Sequence, residues 1–232
     1  NTSGRIVTMN SGTGTCTVTA KWKADEYYSA ATESTSVSAA KLASTITWTP
    51  PTSITYGTLG SILNATTTGS DGTTLTVGTY AYSATPNGGS SEKVMANTVL
   101  PVGTYTLAVT FTPTGTEGKD YAAPAEATAP LTATQGATTT RITSATASTS
   151  HPLNVTVDFS VAGVSGSKQT GTVGVSDSAG NNTCSGSLAA NGTGHCTITF
   201  IGVSGASVTL TATYQGDANN AGSVSASYST TD

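Results

Sequence analysis

Residues able to do covalent, metal or acid–base chemistry are few in this 232-residue chain: three Cys, two His and 12 Asp plus Glu. Cys184 and Cys196 flank Ser185–His195, a stretch of Gly, Asn and Ala that should turn. Both lie in alternating runs that would be neighbours in a hairpin. A disulfide between them is expected, the alternative being two free buried thiols. Closing so short a loop contributes about 3 kcal/mol at most. Cys16 then has no partner. It occupies the core-facing position of Tyr105 and Val208 in the repeats described below, so its partner is expected on an upstream strand outside this chain. There is no Cys-x-x-Cys pair, and two His do not make a zinc site. A disulfide implies an oxidising compartment, hence an extracellular or cell-surface location.

His151 precedes Pro152 and is expected in an extended turn; His195 precedes Cys196 on a strand edge or loop. Neither belongs to a Gly-x-Ser-x-Gly or His-Glu-x-x-His pattern. Serine is so abundant that a Ser near a His carries no weight. Catalysis needs polar groups converging in a concave, partly dry site. No catalytic residue, metal ligand or cofactor is assigned, and an enzyme is not expected. Asp25-Glu26 and Asp217 fall in equivalent turns, and Asp120 follows an inserted loop. Calcium at such turns would need several carboxylates together. An Asp that hydrogen-bonds its own turn is the simpler reading. Aromatic faces could stack on sugars, but alternation places Trp22, Tyr105, Phe111 and Tyr214 inward. Trp48 reads as core or junction packing, and Tyr80 with Tyr82 could point either way. Five Asn-x-Ser/Thr sequences, at Asn1, Asn64, Asn154, Asn181 and Asn191, are close to chance for this composition. No Lys-to-Asn pairing for an isopeptide crosslink is evident.

The elements that must position these residues are strands. Thr and Ser make up about a third of the chain, and charged residues only 9%. Helix formers are scarce, whereas β-branched residues favour a pleated surface. Cys16–Trp22, Tyr105–Phe111 and Val208–Tyr214 alternate with period two, which puts apolar residues on one face and Thr mostly on the other. Turn residues between runs recur at the spacing of a sandwich or barrel. No apolar run is long enough for a spanning helix. The net charge of -4 with no Lys/Arg cluster argues against nucleic acid as partner. So few ionised groups also leave few pairs to lose on acidification, which suits a passive element.

The three runs share a context. Each is a strand, an acidic or Gly turn, a short Tyr/Asn-Ala motif, and a further strand: Glu33–Ala40, Glu126–Thr134 and Ser223–Thr230. A recurring unit of this kind means tandem modules. The segments Val102-Gly-Thr-Tyr-Thr-Leu-Ala-Val-Thr-Phe-Thr-Pro113, Tyr214-Gln-Gly-Asp-Ala-Asn219, Tyr56-Gly-Thr, Thr138-Thr-Thr-Arg-Ile142 and Gly171-Thr-Val-Gly-Val175 resemble the bacterial immunoglobulin-like repeats of large secreted and cell-surface, adhesin-like proteins. The resemblance covers nearly the whole chain. It implies an all-β fold of tandem Ig-like β-sandwiches, and it says little about activity.

The expected division is 1–42, the C-terminal strands of an incomplete module, then Ig-like domains at 43–134 and 135–232. The linkers, Ala39–Ser44 and Ala133–Ala137, are so short that neighbours should abut as an elongated rod. An incomplete sandwich exposes an apolar face. Either the chain lies within a longer protein, or a strand from another molecule completes the module. The function expected is a structural stalk or fibre segment whose partners are neighbouring modules of the parent chain or identical chains in a fibre. The alternative is an adhesion or carbohydrate-binding module, with a glycan or cell-surface ligand and an accessory role to a secreted enzyme. Membrane insertion is not expected.

Overall fold

Alternating Thr and apolar residues form ladders throughout the chain, and their apolar sides are buried wherever a second sheet faces them. The computed structural model describes residues 7–57, 60–148, 153–164, 167–201 and 207–230. It is all-β, 57% strand against 2% helix.

The first element pair is an antiparallel hairpin, β1 (Thr15–Trp22) and β2 (Ala31–Ser38), with Trp22 opposite Ala31. One face is a ladder of hydroxyls. Thr15, Thr17 and Thr19 lie 3.4, 2.8 and 2.9 Å from Ser38, Ser36 and Ser34. The other face carries Cys16, Val18 and Trp22 and, among the described residues, meets no opposing sheet. Trp22 is 59% exposed, which corrects the expectation that alternation makes it core. Alternation sets the face; only a second layer makes that face an interior. Val7 and Met9 cover one end, lining with Cys16, Val18 and Val37 an apolar cavity of about 120 Å³.

The middle segment contains β3 (Ser44–Thr47), β4 (Ser53–Thr55), β5 (Thr66–Gly69), β6 (Thr74–Leu75), β7 (Gly78–Pro86), β8 (Glu92–Val94), β9 (Gly103–Pro113), the single helical turn α1 (Glu117–Asp120) and β10 (Ala127–Thr134). Five strands form one sheet in the order β4-β10-β9-β7-β8, and β3-β5-β6 form a second. β4 runs parallel to β10; the other neighbours are antiparallel. Between the sheets lie Ile62, Ala84, Val94, Leu100, Leu107 and Leu131, with Trp48 and Tyr82 packed against them. Tyr80 joins this group to Leu75, Phe111 and Tyr121, its ring centroid 4.6 Å from that of Phe111. Tyr80 and Tyr82 thus point inward, each tied by its hydroxyl: Tyr80 donates to Thr67 Oγ1 at 2.9 Å, and Tyr82 accepts from Ala65 N–H at 3.0 Å.

The C-terminal segment contains β11 (Thr138–Ala147), β12 (Leu153–Gly163), β13 (Thr172–Asp177), β14 (Thr183–Ser187), β15 (Thr193–Phe200), β16 (Val208–Gly216), β17 (Ala221–Val224) and β18 (Tyr228–Thr230). Sheet β11-β12-β15 faces sheet β14-β13-β16-β17, with β18 also on β16. Val155, Val157, Phe159 and Ile198 from one sheet and Val173, Val175, Leu210, Ala212 and Tyr214 from the other form a single interior. Each buried Val, Leu, Ile or Phe among them contributes roughly 1.5–3 kcal/mol by leaving water, which stabilises this sandwich-like interior. The last strand is not continuous as the sequence suggests. β17 pairs Thr213 with Val224, whereas β18 pairs Leu210 with Tyr228, so one extra residue is accommodated between them.

Cys184 and Cys196 form the expected disulfide. Its setting differs from a hairpin ladder. β14 pairs with β13 in one sheet and β15 with β12 in the other, so the bond ties the two layers together. Glycines permit the close approach. A Cβ on Gly194 would lie 2.6 Å from the Ser187 carbonyl oxygen. The bond fits an oxidising, extracellular environment. Among the described residues no helix is long and apolar enough to cross a membrane.

Candidate functional site

The two turns carrying Asp120 and Asp217, expected from the sequence as turn formers, each seat a backbone segment distant in sequence, around Leu42 and Gly136. At the first, Leu42 lies in a parallel bridge with Tyr121. Leu42 N–H donates to Asp120 O, and Ala122 N–H donates to Leu42 O, both at 2.8 Å. At the second, Gly136 bridges Asn220 in the same sense. Gly136 N–H donates to Asn219 O at 2.9 Å, and Ala221 N–H donates to Gly136 O at 2.8 Å.

Two further bonds repeat. Lys41 Nζ donates to Gly118 O at 2.5 Å, and Gln135 Nε2 donates to Asp217 O at 2.8 Å. In each case the side chain before the bridging residue reaches a carbonyl two residues before the acceptor turn's Asp120 or Asn219. Finally, the preceding segment anchors itself to that same residue's side chain. Gly12 N–H donates to Asp120 Oδ1 at 3.0 Å, and Val102 N–H donates to Asn219 Oδ1 at 2.9 Å. Gly12 sits so close that a Cβ would lie 2.7 Å from Lys119 O and 2.9 Å from Asp120 O. One four-bond pattern therefore recurs at two places in the chain.

The second turn is held rigid by Asp217. Its Oδ1 accepts from Asn219 N–H and Asn220 N–H, each at 2.8 Å, and its Oδ2 from Thr170 N–H at 2.8 Å, Thr170 Oγ1 at 2.9 Å and Tyr214 OH at 3.0 Å. The Asn220 amide spans both oxygens and reaches Lys168 O at 2.8 Å. Partial burial works against the charge, but the N–H donors of Asn219 and Thr170 and the Asn220 amide hold the carboxyl well below the usual carboxylate range. Burial, reinforced by the Asp217 charge, pushes the Tyr214 hydroxyl up to about 12. At the first turn Tyr121 OH donates to Asp71 Oδ2 at 2.8 Å. The Thr73 N–H, with that hydroxyl, lowers the Asp71 carboxyl. These carboxylates are consumed by turn donors. Among the described residues no three His, Cys, Asp or Glu gather as a metal-binding group.

The remaining chemistry-bearing residues are placed as follows. His195 is exposed on β15 opposite Asp158, and a shallow groove gathers both with Ser187 and Thr193. Asp158 Oδ2 takes the Ser144 hydroxyl at 2.5 Å, so the carboxylate engages a serine directly and not through the imidazole. A nucleophilic triad needs the reverse order, with His between them. His151 lies outside the described residues. Cys16 is half-buried and unbonded. Trp48 is half-buried, donating Nε1–H to Ile62 O at 2.8 Å. The most exposed aromatics, Trp22, Tyr27 and Tyr28, all belong to the N-terminal hairpin.

Sequence reading did not reach Gly12, Val102 or Asn219 as junction residues. Its only usable signal was the small residue that follows each turn, in Asp120-Tyr-Ala and Asn219-Asn-Ala. Compared with models of known protein families and with curated proteins, the chain matches none.

Proposed function

We propose that this chain is a structural stalk or fibre segment of a bacterial extracellular or cell-surface protein, built from tandem Ig-like modules that space or present other parts. The observation that carries the proposal is the repeated junction. Four hydrogen bonds recur at equivalent positions around Leu42 and Gly136, two of them through different side chains, Lys41 or Gln135 as donor and Asp120 or Asn219 as acceptor. A linker bridged on both sides cannot act as a free hinge, because its own backbone groups are used to seat it. Segments 43–134 and 135–232 each have their own buried residues between two sheets, which supports reading them as Ig-like sandwiches laid end to end. Cys184–Cys196 supports the extracellular setting. In this reading the chain has no catalytic role, and neighbouring modules or identical chains are its partners. Immunogold labelling of native material with an antibody to residues 43–232 tests it. Regular rods at the cell periphery or in shed fibres are expected; label confined to the cytoplasm contradicts it.

One observation favours the second reading, an adhesion or carbohydrate-binding module: Trp22, Tyr27 and Tyr28 are exposed at 59%, 83% and 70% on one hairpin. A glycan array probed with the whole chain separates the two. Binding lost in a Trp22→Ala variant would favour adhesion.

A further inference from the structure

The N-terminal hairpin and the last hairpin of the chain are built in one register. Trp22 faces Ala31 and Lys21 faces Thr32; 192 positions on, Tyr214 faces Ser223 and Thr213 faces Val224. Three hydrogen bonds of their turns correspond. Asp25 N–H donates to Tyr28 O at 3.0 Å, and Asp217 N–H donates to Asn220 O at 2.9 Å. Asp25 Oδ1 accepts from Tyr27 N–H at 2.9 Å and Tyr28 N–H at 2.8 Å, as Asp217 Oδ1 accepts from Asn219 and Asn220. In the C-terminal segment this turn is a slot: Asn219 O and Ala221 N–H hold Gly136 between them. The corresponding groups in the first hairpin are Tyr27 O and Ser29 N–H. Among the described residues neither has a hydrogen-bond partner.

The apolar face matches too. Leu210, Ala212 and Tyr214 are fully buried under β12 and β15. Their counterparts are Val18, Ala20 and Trp22, of which Val18 is 42% and Trp22 59% exposed. Val7 and Met9 cover only the Cys16 and Val18 end of this face, so among the described residues an empty backbone slot and a face left open toward Trp22 stand in the same register and call for the same occupant.

We propose that Tyr27 O and Ser29 N–H, with the Val18–Trp22 face, dock the linker and early strands of a further upstream module of the same fold. The linker residue would be extended, donating to Tyr27 O and accepting from Ser29 N–H, in a parallel bridge with Tyr28. The covering strands would present alternating Val, Ile or Phe to Val18 and Trp22. In both sister segments the covering strands precede the hairpin, which favours upstream strands over a second copy as occupant. Tyr27 stands where Asp120 and Asn219 supply a side-chain acceptor, so the fourth bond of the junction is not available here in that form. This inference rests on the reading of the chain as tandem modules.

The test adds the missing layer. A second copy of residues 135–207 replaces residues 1–15, so that it runs directly into Cys16 and reproduces the 207-to-208 connection; residues 16–232 are unchanged, and the Gly12 bond to Asp120 is given up in the fusion. Hydrogen exchange at Ser29 is compared with that in the unmodified chain. Exchange slowed roughly 100-fold is expected, as for an amide moved from an open to a closed site. A Trp22→Tyr version matches Tyr214 and guards against a mismatched core. If Ser29 exchanges at the unmodified rate in both fusions, the proposal is overturned. It is equally overturned if the unmodified chain dimerises at micromolar concentration with Ser29 protected, because the occupant is then a second copy. Scattering of the unmodified chain tests the spacer reading separately: a compact chain with a protected Ser29 in the fusion would sink the spacer and keep the slot.

Discussion

Val102 donates its amide to Asn219 Oδ1 at 2.9 Å across 117 residues of sequence, and Gly12 does the same to Asp120 Oδ1 across 108. The two acceptors are an amide and a carboxylate, so the junction uses the oxygen and not the charge. Asn219→Ala is expected to cost either interior little, about 1 kcal/mol or less for a part-exposed bond. It should instead loosen the linker. Limited proteolysis across residues 133–138, faster in the variant at an unchanged unfolding midpoint, checks this.

Gly12→Ala should act by collision. Its Cβ would meet Lys119 O, Asp120 O and the Lys41 Cα, all backbone atoms that cannot swing away. Loss of the hairpin's contact with the turn is expected, with the middle segment's stability unchanged. Amide chemical-shift changes confined to residues near 12, 41 and 120 would agree; a lowered melting temperature of the middle segment would not.

Asp217 serves the fold of its own segment. Asp217→Ala strands the N–H groups of Thr170, Asn219 and Asn220. A loss of about 2 kcal/mol in urea unfolding is expected, since each orphaned donor carries a desolvation penalty and the turn is only partly buried.

The pH dependence follows from two groups. Asp217 is depressed in the folded chain, so its stabilisation is present above the unfolded carboxyl's pKa of about 4 and is lost as pH falls below that. Tyr214 is raised to about 12, so its stabilisation is present below the unfolded pKa of about 10 and is lost as pH rises toward about 12. The unfolding midpoint should be flat between about pH 5 and 9 and fall on either side. A steep change between pH 5 and 7 would contradict this.

Reduction of Cys184–Cys196 should destabilise the C-terminal segment by about 3 kcal/mol, the closure entropy of a loop of this length. The unfolding midpoint of the middle segment should not move on adding reductant.

Much of the architecture was legible because it is periodic. Val155, Val157 and Phe159, or Leu210, Ala212 and Tyr214, announce a buried face every second residue, and the disulfide follows from two Cys around one turn. What escaped is what periodicity does not encode. Trp22 sits in a perfect alternation yet is exposed, because among the described residues no second sheet meets its face. The disulfide crosses layers because β14 leaves the sheet of β15, a choice of partner made by distant strands. The junction rests on single backbone bonds from Leu42 and Gly136, and any residue has those groups. The Asp residues marked the turns, and only the small residue after each, Ala122 and Ala221, hinted at the docking.

Small-angle X-ray scattering of the whole chain addresses the docked-linker spacer most directly. A compact chain of this length would have a radius of gyration of about 17 Å. Segments seated end to end through the Leu42 and Gly136 bridges predict a clearly larger value with a rod-like cross-section that does not change with salt. A radius near the compact value, or a profile of freely reorienting segments, would contradict the account.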